Sequence, residues 1–224
     1  ASSERAYDMQ EALGARAAAT TTLGNIGSAH AALGSYERAL EIYERSGAGG
    51  IEQSYVLTNL GLIASERRDH ARAADYQLRA LAIAEQHAPE SRDVHADLLN
   101  LGNTEHARGD LVAAEKYYAR ALELARKFDP EGREVAYGFD NLGLVAAARG
   151  DVEEAVRHHE RALELKARND EGSLVMATTL TSLGDLALRR GLLDEAEQRY
   201  ARALAIESEL APGSAREAKS LHGL

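Results

Sequence analysis

The 224-residue chain contains no cysteine and no tryptophan. Neither a disulfide framework nor a thiolate metal site is therefore possible, which suits a reducing compartment, and a cytoplasmic protein is expected. Proline occurs three times and aromatic residues make up 5% of the chain. No apolar run approaches the length that spans a bilayer, and residues 1–7, small and polar, do not read as a signal peptide. Basic charge is the scarcer kind, with 26 Lys and Arg against 36 Asp and Glu and a net charge of −10. The basic footprint needed to neutralise phosphates is missing, so neither nucleic acid nor a membrane is expected as a partner.

Hydrophobic residues reach 45% and charged residues 28%, the balance of a globular chain. Ala, Leu, Glu and Arg are abundant, and these are strong helix formers. Self-comparison reveals a repeat. Asn25-Ile26-Gly27, Asn59-Leu60-Gly61, Asn100-Leu101-Gly102 and Asn141-Leu142-Gly143 share one phrase, and Ser182-Leu183-Gly184 keeps all but the Asn. Seven residues after each Gly a turn is expected, at Gly34, Arg68, Gly109, Gly150 and Gly191. Asp69, Asp110 and Asp151 follow that turn and suit helix N-caps; Asp151 with Glu154 reads as a capping-box variant. Twelve residues after the Gly stands Ala39, Ala73, Ala114, Ala155 or Ala196. Nineteen after it stand Ser46, Ala80, Ala121, Ala162 and Ala203, with Tyr43, Tyr118 and Tyr200 between. A mid-helix Gly costs about 1 kcal/mol against Ala, so its recurrence at one phase calls for close helix packing.

This pattern resembles the tetratricopeptide repeat family, with Leu-Gly on a first helix A and Ala, aromatic, Ala on a second helix B. The Gly markers are spaced by 34 and then three times by 41 residues. The longer steps look like the extended, 41–42-residue repeat of the kinesin-light-chain type. The resemblance implies an all-α, right-handed superhelical solenoid of antiparallel helix pairs. On this register residues 1–14 close a preceding repeat, and repeats 1 to 5 occupy 15–50, 51–90, 91–131, 132–172 and 173–213. Residues 214–224 begin a sixth repeat whose Gly would fall at position 225, so the chain reads as an excerpt from a longer array.

In such arrays the A helices line the concave surface. The resemblance therefore places Asn25, Asn59, Asn100 and Asn141 there, one per repeat, as an amide column suited to the backbone of an extended peptide. Tyr55, Asn103, His106, Tyr137, Asp185 and Arg189 are neighbouring candidates. The competing reading is that the Asn side chains bridge adjacent A helices or satisfy nearby backbone. Basic residues that would clamp a terminal carboxylate are missing from this surface, Arg189 apart. A protein or peptide partner is expected, held by an adaptor or scaffold. The alternatives are a regulatory array within a larger effector, such as a caspase-like protease or signalling ATPase, and a self-assembling spacer.

No catalytic, metal or cofactor site is expected. The eight His form no His-Glu-x-x-His motif. His159 takes the aromatic position of helix B, where packing is its role, and His158 beside it reads as outward-facing. Gly47-Ala48-Gly49-Gly50 lacks the Lys and hydroxyl residue of a phosphate-binding loop, and no Ser nucleophile elbow occurs.

Overall fold

Ten α-helices follow one another in the computed structural model, which describes residues 29–47, 50–169 and 172–224, with backbone alone for 29–32. They are α1 Ala29–Ser46, α2 Gly50–Glu66, α3 His70–His87, α4 Arg92–Arg108, α5 Leu111–Phe128, α6 Arg133–Arg149, α7 Val152–Asn169, α8 Leu174–Arg189, α9 Leu193–Leu210 and α10 Ala215–Gly223. Among the described residues no strand occurs, and the fold class is the all-α helical-repeat solenoid expected from the sequence.

Helix ends follow from local chemistry. The carbonyls of Asp69, Asp110 and Asp151 accept the first helical hydrogen bonds of α3, α5 and α7 from Ala73, Ala114 and Ala155. The Asp69 and Asp110 carboxylates also accept from the backbone N–H groups of Arg72 and Ala113, at 3.2 and 3.0 Å. Ser91, Ser173 and Ser214 cap α4, α8 and α10 in the same way. The turns between A and B helices use left-handed backbone, with φ of 84° at Gly109, 91° at Gly150 and 73° at Gly191. Arg68 adopts φ 60° at the equivalent place, the positive-φ non-glycine among the described residues.

The turn expected at Gly34 does not form. Helix α1 runs unbroken from Ala29 through Gly34 to Ser46. Ser35 follows Gly34 where Asp follows three of the other turns, so the carboxylate that caps the next helix there is missing, and Gly34 keeps helical backbone where Gly109, Gly150 and Gly191 take positive φ.

The helices form two compact units, which divide between Tyr117 and Tyr118 within α5. In the first, α2 packs on α1 and α3, and α3 on α4, around Tyr36, Tyr43, Leu57, Leu60 and Ile63. In the second, α6 to α10 pack in sequence, with Leu163, Met176, Leu180 and Leu183 at one core and Ala146, Ala155 and Leu186 at another. Each fully buried Leu stabilises by about 2 kcal/mol.

The repeat Gly has a specific packing partner sixteen residues on. A Cβ at Gly61 would lie 2.7 Å from Gln77 Cγ, one at Gly143 2.7 Å from His159 Nε2, and one at Gly184 2.9 Å from the Tyr200 ring. These contacts account for a helix-weakening residue at that phase. The marker alanines are buried for the same reason, since only a methyl fits between the helices: Ala73, Ala80, Ala155, Ala162 and Ala203 have no exposed surface.

Candidate interaction surface

In the first unit the A helices α2 and α4 lie side by side and are joined by polar side chains. Tyr55 donates from its hydroxyl to Asp93 at 3.1 Å and Thr58 donates to Asp97 at 2.9 Å. The Ser65 and Thr104 hydroxyls meet at 3.2 Å, and Thr104 donates to Gln77 on α3 at 2.8 Å. Asp97 is buried. Desolvation pushes its carboxyl up to about 6, with the Thr58 hydrogen bond opposing and the neighbouring Asp93 charge reinforcing the shift.

The sequence candidates of this unit divide by how their polar atoms are used. Asn59 is half-buried, and its Nδ2 donates to the Tyr55 carbonyl of its own helix at 2.7 Å. The Tyr55 hydroxyl is turned to Asp93. Asn100 is half-buried, and its side-chain amide makes no hydrogen bond among the described residues. Asn103 is exposed and His106 half-buried on the same helix. Asn25 lies outside the described residues.

In the second unit Asn141 repeats the Asn100 arrangement, half-buried with no side-chain hydrogen bond among the described residues. Tyr137 lies with its ring 5.5 Å from the Lys166 ammonium. Asp185 accepts from the Tyr200 hydroxyl at 2.5 Å and from Lys219 at 2.7 Å. The resulting burial and carboxylate contact push the Tyr200 hydroxyl pKa up. Arg189 is exposed and donates to the Ala147 carbonyl at 3.0 Å, linking α8 to α6.

A polar cluster that the sequence reading missed sits beneath Tyr137. Lys166, 2% exposed, pairs with Asp140. The same ammonium donates to Thr179 Oγ1 at 2.7 Å and to the Val175 carbonyl at 3.3 Å. Thr179 donates to Asp140 at 3.0 Å, and His159 Nδ1 meets the other Asp140 oxygen at 2.9 Å. His159 is thus packed in the aromatic position as expected, and also bonded to a carboxylate. His158 does not face outward. It is half-buried, its ring 6.0 Å from that of Phe139, because α7 lays this side against α6. The signal for Lys166 was available: it stands twenty-three residues after its Gly, where two earlier repeats have Ala84 and Ala125. A charged residue at a small core position announces a buried ion pair.

Among the described residues, no group of three or more His, Asp or Glu side chains is arranged to hold a metal ion. No helix there is long and apolar enough to cross a membrane.

Stacked helix pairs that present amide and hydroxyl groups along neighbouring A helices define a protein-interaction scaffold of the helical-repeat class. The chain belongs to the tetratricopeptide repeat family: one model described by that name matches residues 94–168 and another matches 20–46 and 55–93, together more than half of the chain. Comparison with curated proteins finds no match. Among solved structures the chain is similar to BtubC (BKLC) from P. vanneervenii, at 21% identity and TM-score 0.68, covering 93% of this chain and 91% of that one. A putative kinesin light chain from Podosopora anserina with nearly identical TPR-like repeats is 16% identical, with TM-score 0.70 over 90% and 95% of the two chains. A Rap protein complexed with Competence and Sporulation Factor is 20% identical, with TM-score 0.66 over 80% of this chain and 48% of that one. At these identities the likeness is one of fold.

Proposed function

We propose that the A-helix face of each unit takes an extended peptide segment of a partner protein, whose backbone pairs with the side-chain amide presented there, Asn100 in the first unit and Asn141 in the second. The observation that carries this reading is that both amides are half-buried and make no hydrogen bond among the described residues. An amide offers a donor pair and an acceptor, and one not bonded within the chain exchanges only water for a peptide backbone when it binds. A peptide backbone supplies both complements at a regular spacing. Asn59 takes a lesser part, since its donor is already used by the Tyr55 carbonyl and its oxygen remains. Asn25 completes the proposed column by its place in the repeat. Tyr55, Asn103, His106 and Tyr137 flank the amides on the same helices, Asp185 and Arg189 lie on the A helix α8, and each sets side-chain preference within its own unit. A related fold carries a bound factor in the Rap complex, which supports this use of the scaffold.

The test is capture of peptides from a randomised library of extended sequences by the full chain, followed by affinity measurement on Asn100→Ala, Asn141→Ala and the double variant. Each amide contact contributes about 1–1.5 kcal/mol, so each single variant is expected to bind the segment held by its own unit about five- to tenfold more weakly. Unchanged affinity in the double variant removes the amides from the binding surface.

A further inference from the structure

The Lys166 cluster has a counterpart one repeat later in which the charges are rearranged. Forty-one residues on, Glu207 replaces Lys166, Thr181 replaces Asp140, Ser220 replaces Thr179 and Thr178 replaces Tyr137. The Thr181 and Ser220 hydroxyls meet at 3.3 Å, as the side chains of Asp140 and Thr179 meet in the preceding repeat. Glu207 is 1% exposed, and its Oε2 is buried without a hydrogen-bond partner among the described residues. Beside it is a cavity of about 80 Å³ lined by Thr178, Thr181, Ser182, Glu207, Arg216 and Lys219. Where the Tyr137 ring covers the ammonium of the earlier cluster, Thr178 is short, exposed and turned to the Leu174 carbonyl, which leaves the cavity open to the surface.

We propose that this cavity receives the ammonium end of a lysine side chain of the bound peptide, with Glu207 as its counter-ion. The inference rests on the peptide-binding reading above and names the side chain that the surface selects. The chain itself shows how such a group is held. Lys166 has its ammonium satisfied by a carboxylate, a threonine hydroxyl and a helix carbonyl. The later cluster sets a carboxylate and the Thr181 hydroxyl in the cavity wall, with no cation buried beside them; Arg216 and Lys219, which also line the cavity, are exposed. A buried carboxylate oxygen lacking a donor is costly, and an entering ammonium removes that cost with a charge-assisted hydrogen bond. The space suits an ammonium with its last methylenes, as it holds only a few water-sized groups. Of the two flanking cations, Lys219 is neutralised by Asp185 at 2.7 Å, and Arg216 is exposed at the rim, where solvent screens it.

The experiment uses the full chain and a displayed library of random twelve-residue peptides. Captured peptides are expected to carry lysine at one fixed position. Replacing that lysine by norleucine in the leading peptide is expected to weaken binding about tenfold or more in fluorescence anisotropy. Against Glu207→Gln the lysine and norleucine peptides are expected to bind alike, and circular dichroism verifies that this variant is folded. Thr178→Tyr, an exposed substitution that restores the ring seen at Tyr137, is expected to abolish the same preference without touching Glu207. Peptides bound with no lysine preference, or a preference that survives in both variants, overturn the Glu207 site and leave the amide surface standing. Capture of no peptide at all overturns both.

Discussion

Thr58 donates to Asp97 at 2.9 Å across 39 residues of chain, and the carboxylate it reaches is buried with its pKa held up at about 6. The native state therefore binds more protons than the unfolded chain between the ordinary carboxylate range and pH 6. By linkage the contribution of Asp97 to stability falls as pH rises through that window. The wild-type protein is expected to lose about 1–3 kcal/mol relative to Asp97→Asn between pH 4 and pH 7. Asn retains an oxygen for Thr58 and removes the charge. Urea unfolding of both proteins at the two pH values measures the difference, and parallel pH curves would refute it.

Arg68 occupies left-handed backbone with φ 60° where three other turns have Gly. A side chain there costs about 1–2 kcal/mol, so Arg68→Gly is expected to raise stability by roughly 0.5–1 kcal/mol after the added chain entropy of Gly is counted. Thermal unfolding reads this as a small upward shift in the midpoint.

Two glycines, Gly184 of the Leu-Gly phrase and Gly34 at the turn phase, are expected to respond to alanine in opposite directions. Gly184→Ala drives a methyl group into the Tyr200 ring at 2.9 Å and is expected to destabilise by about 1–3 kcal/mol. Gly34→Ala meets no atom within 4 Å in an uninterrupted helix and is expected to stabilise by about 0.5–1 kcal/mol through helix propensity. Loss of stability in the second variant would show that the chain bends at Gly34 after all.

Lys166→Met leaves Asp140 without its cation and is expected to cost about 3 kcal/mol. Adding Asp140→Asn removes the uncompensated charge, so the double variant is expected to be more stable than Lys166→Met alone. A double-mutant cycle by denaturant unfolding measures the coupling directly.

Backbone architecture was legible because each repeat states it several times over: the Gly at one phase meets the side chain sixteen residues later, and Asp69 and Asp110 cap as their positions suggest. Gly34 shows that a glycine at the turn phase need not stop a helix: it keeps helical backbone where Gly109, Gly150 and Gly191 turn left-handed, and no carboxylate follows it. The polar surface was harder to read. Asn59 and Asn100 stand at the same place in their repeats, yet one amide is bonded to its own helix and the other is not. Side-chain rotation decides between them, and residue identity does not encode it. Lys166 and Glu207 were legible as departures from Ala84 and Ala125, but whether each finds a counter-charge depends on a residue in a neighbouring helix.

The pairs joining adjacent A helices are chemically mismatched from one junction to the next. Thr58 faces Asp97, Asp140 faces Thr179, and Thr181 faces Ser220. If the helix bearing Asp140 were placed ahead of the one bearing Asp97, two carboxylates would confront each other at the seam. Repeats that share a backbone pattern are therefore not interchangeable blocks. These three junctions each carry their own lock and key, so the order of the blocks they join is written into the seams, and a duplicated or shuffled repeat fits there only if both sides of a junction change together.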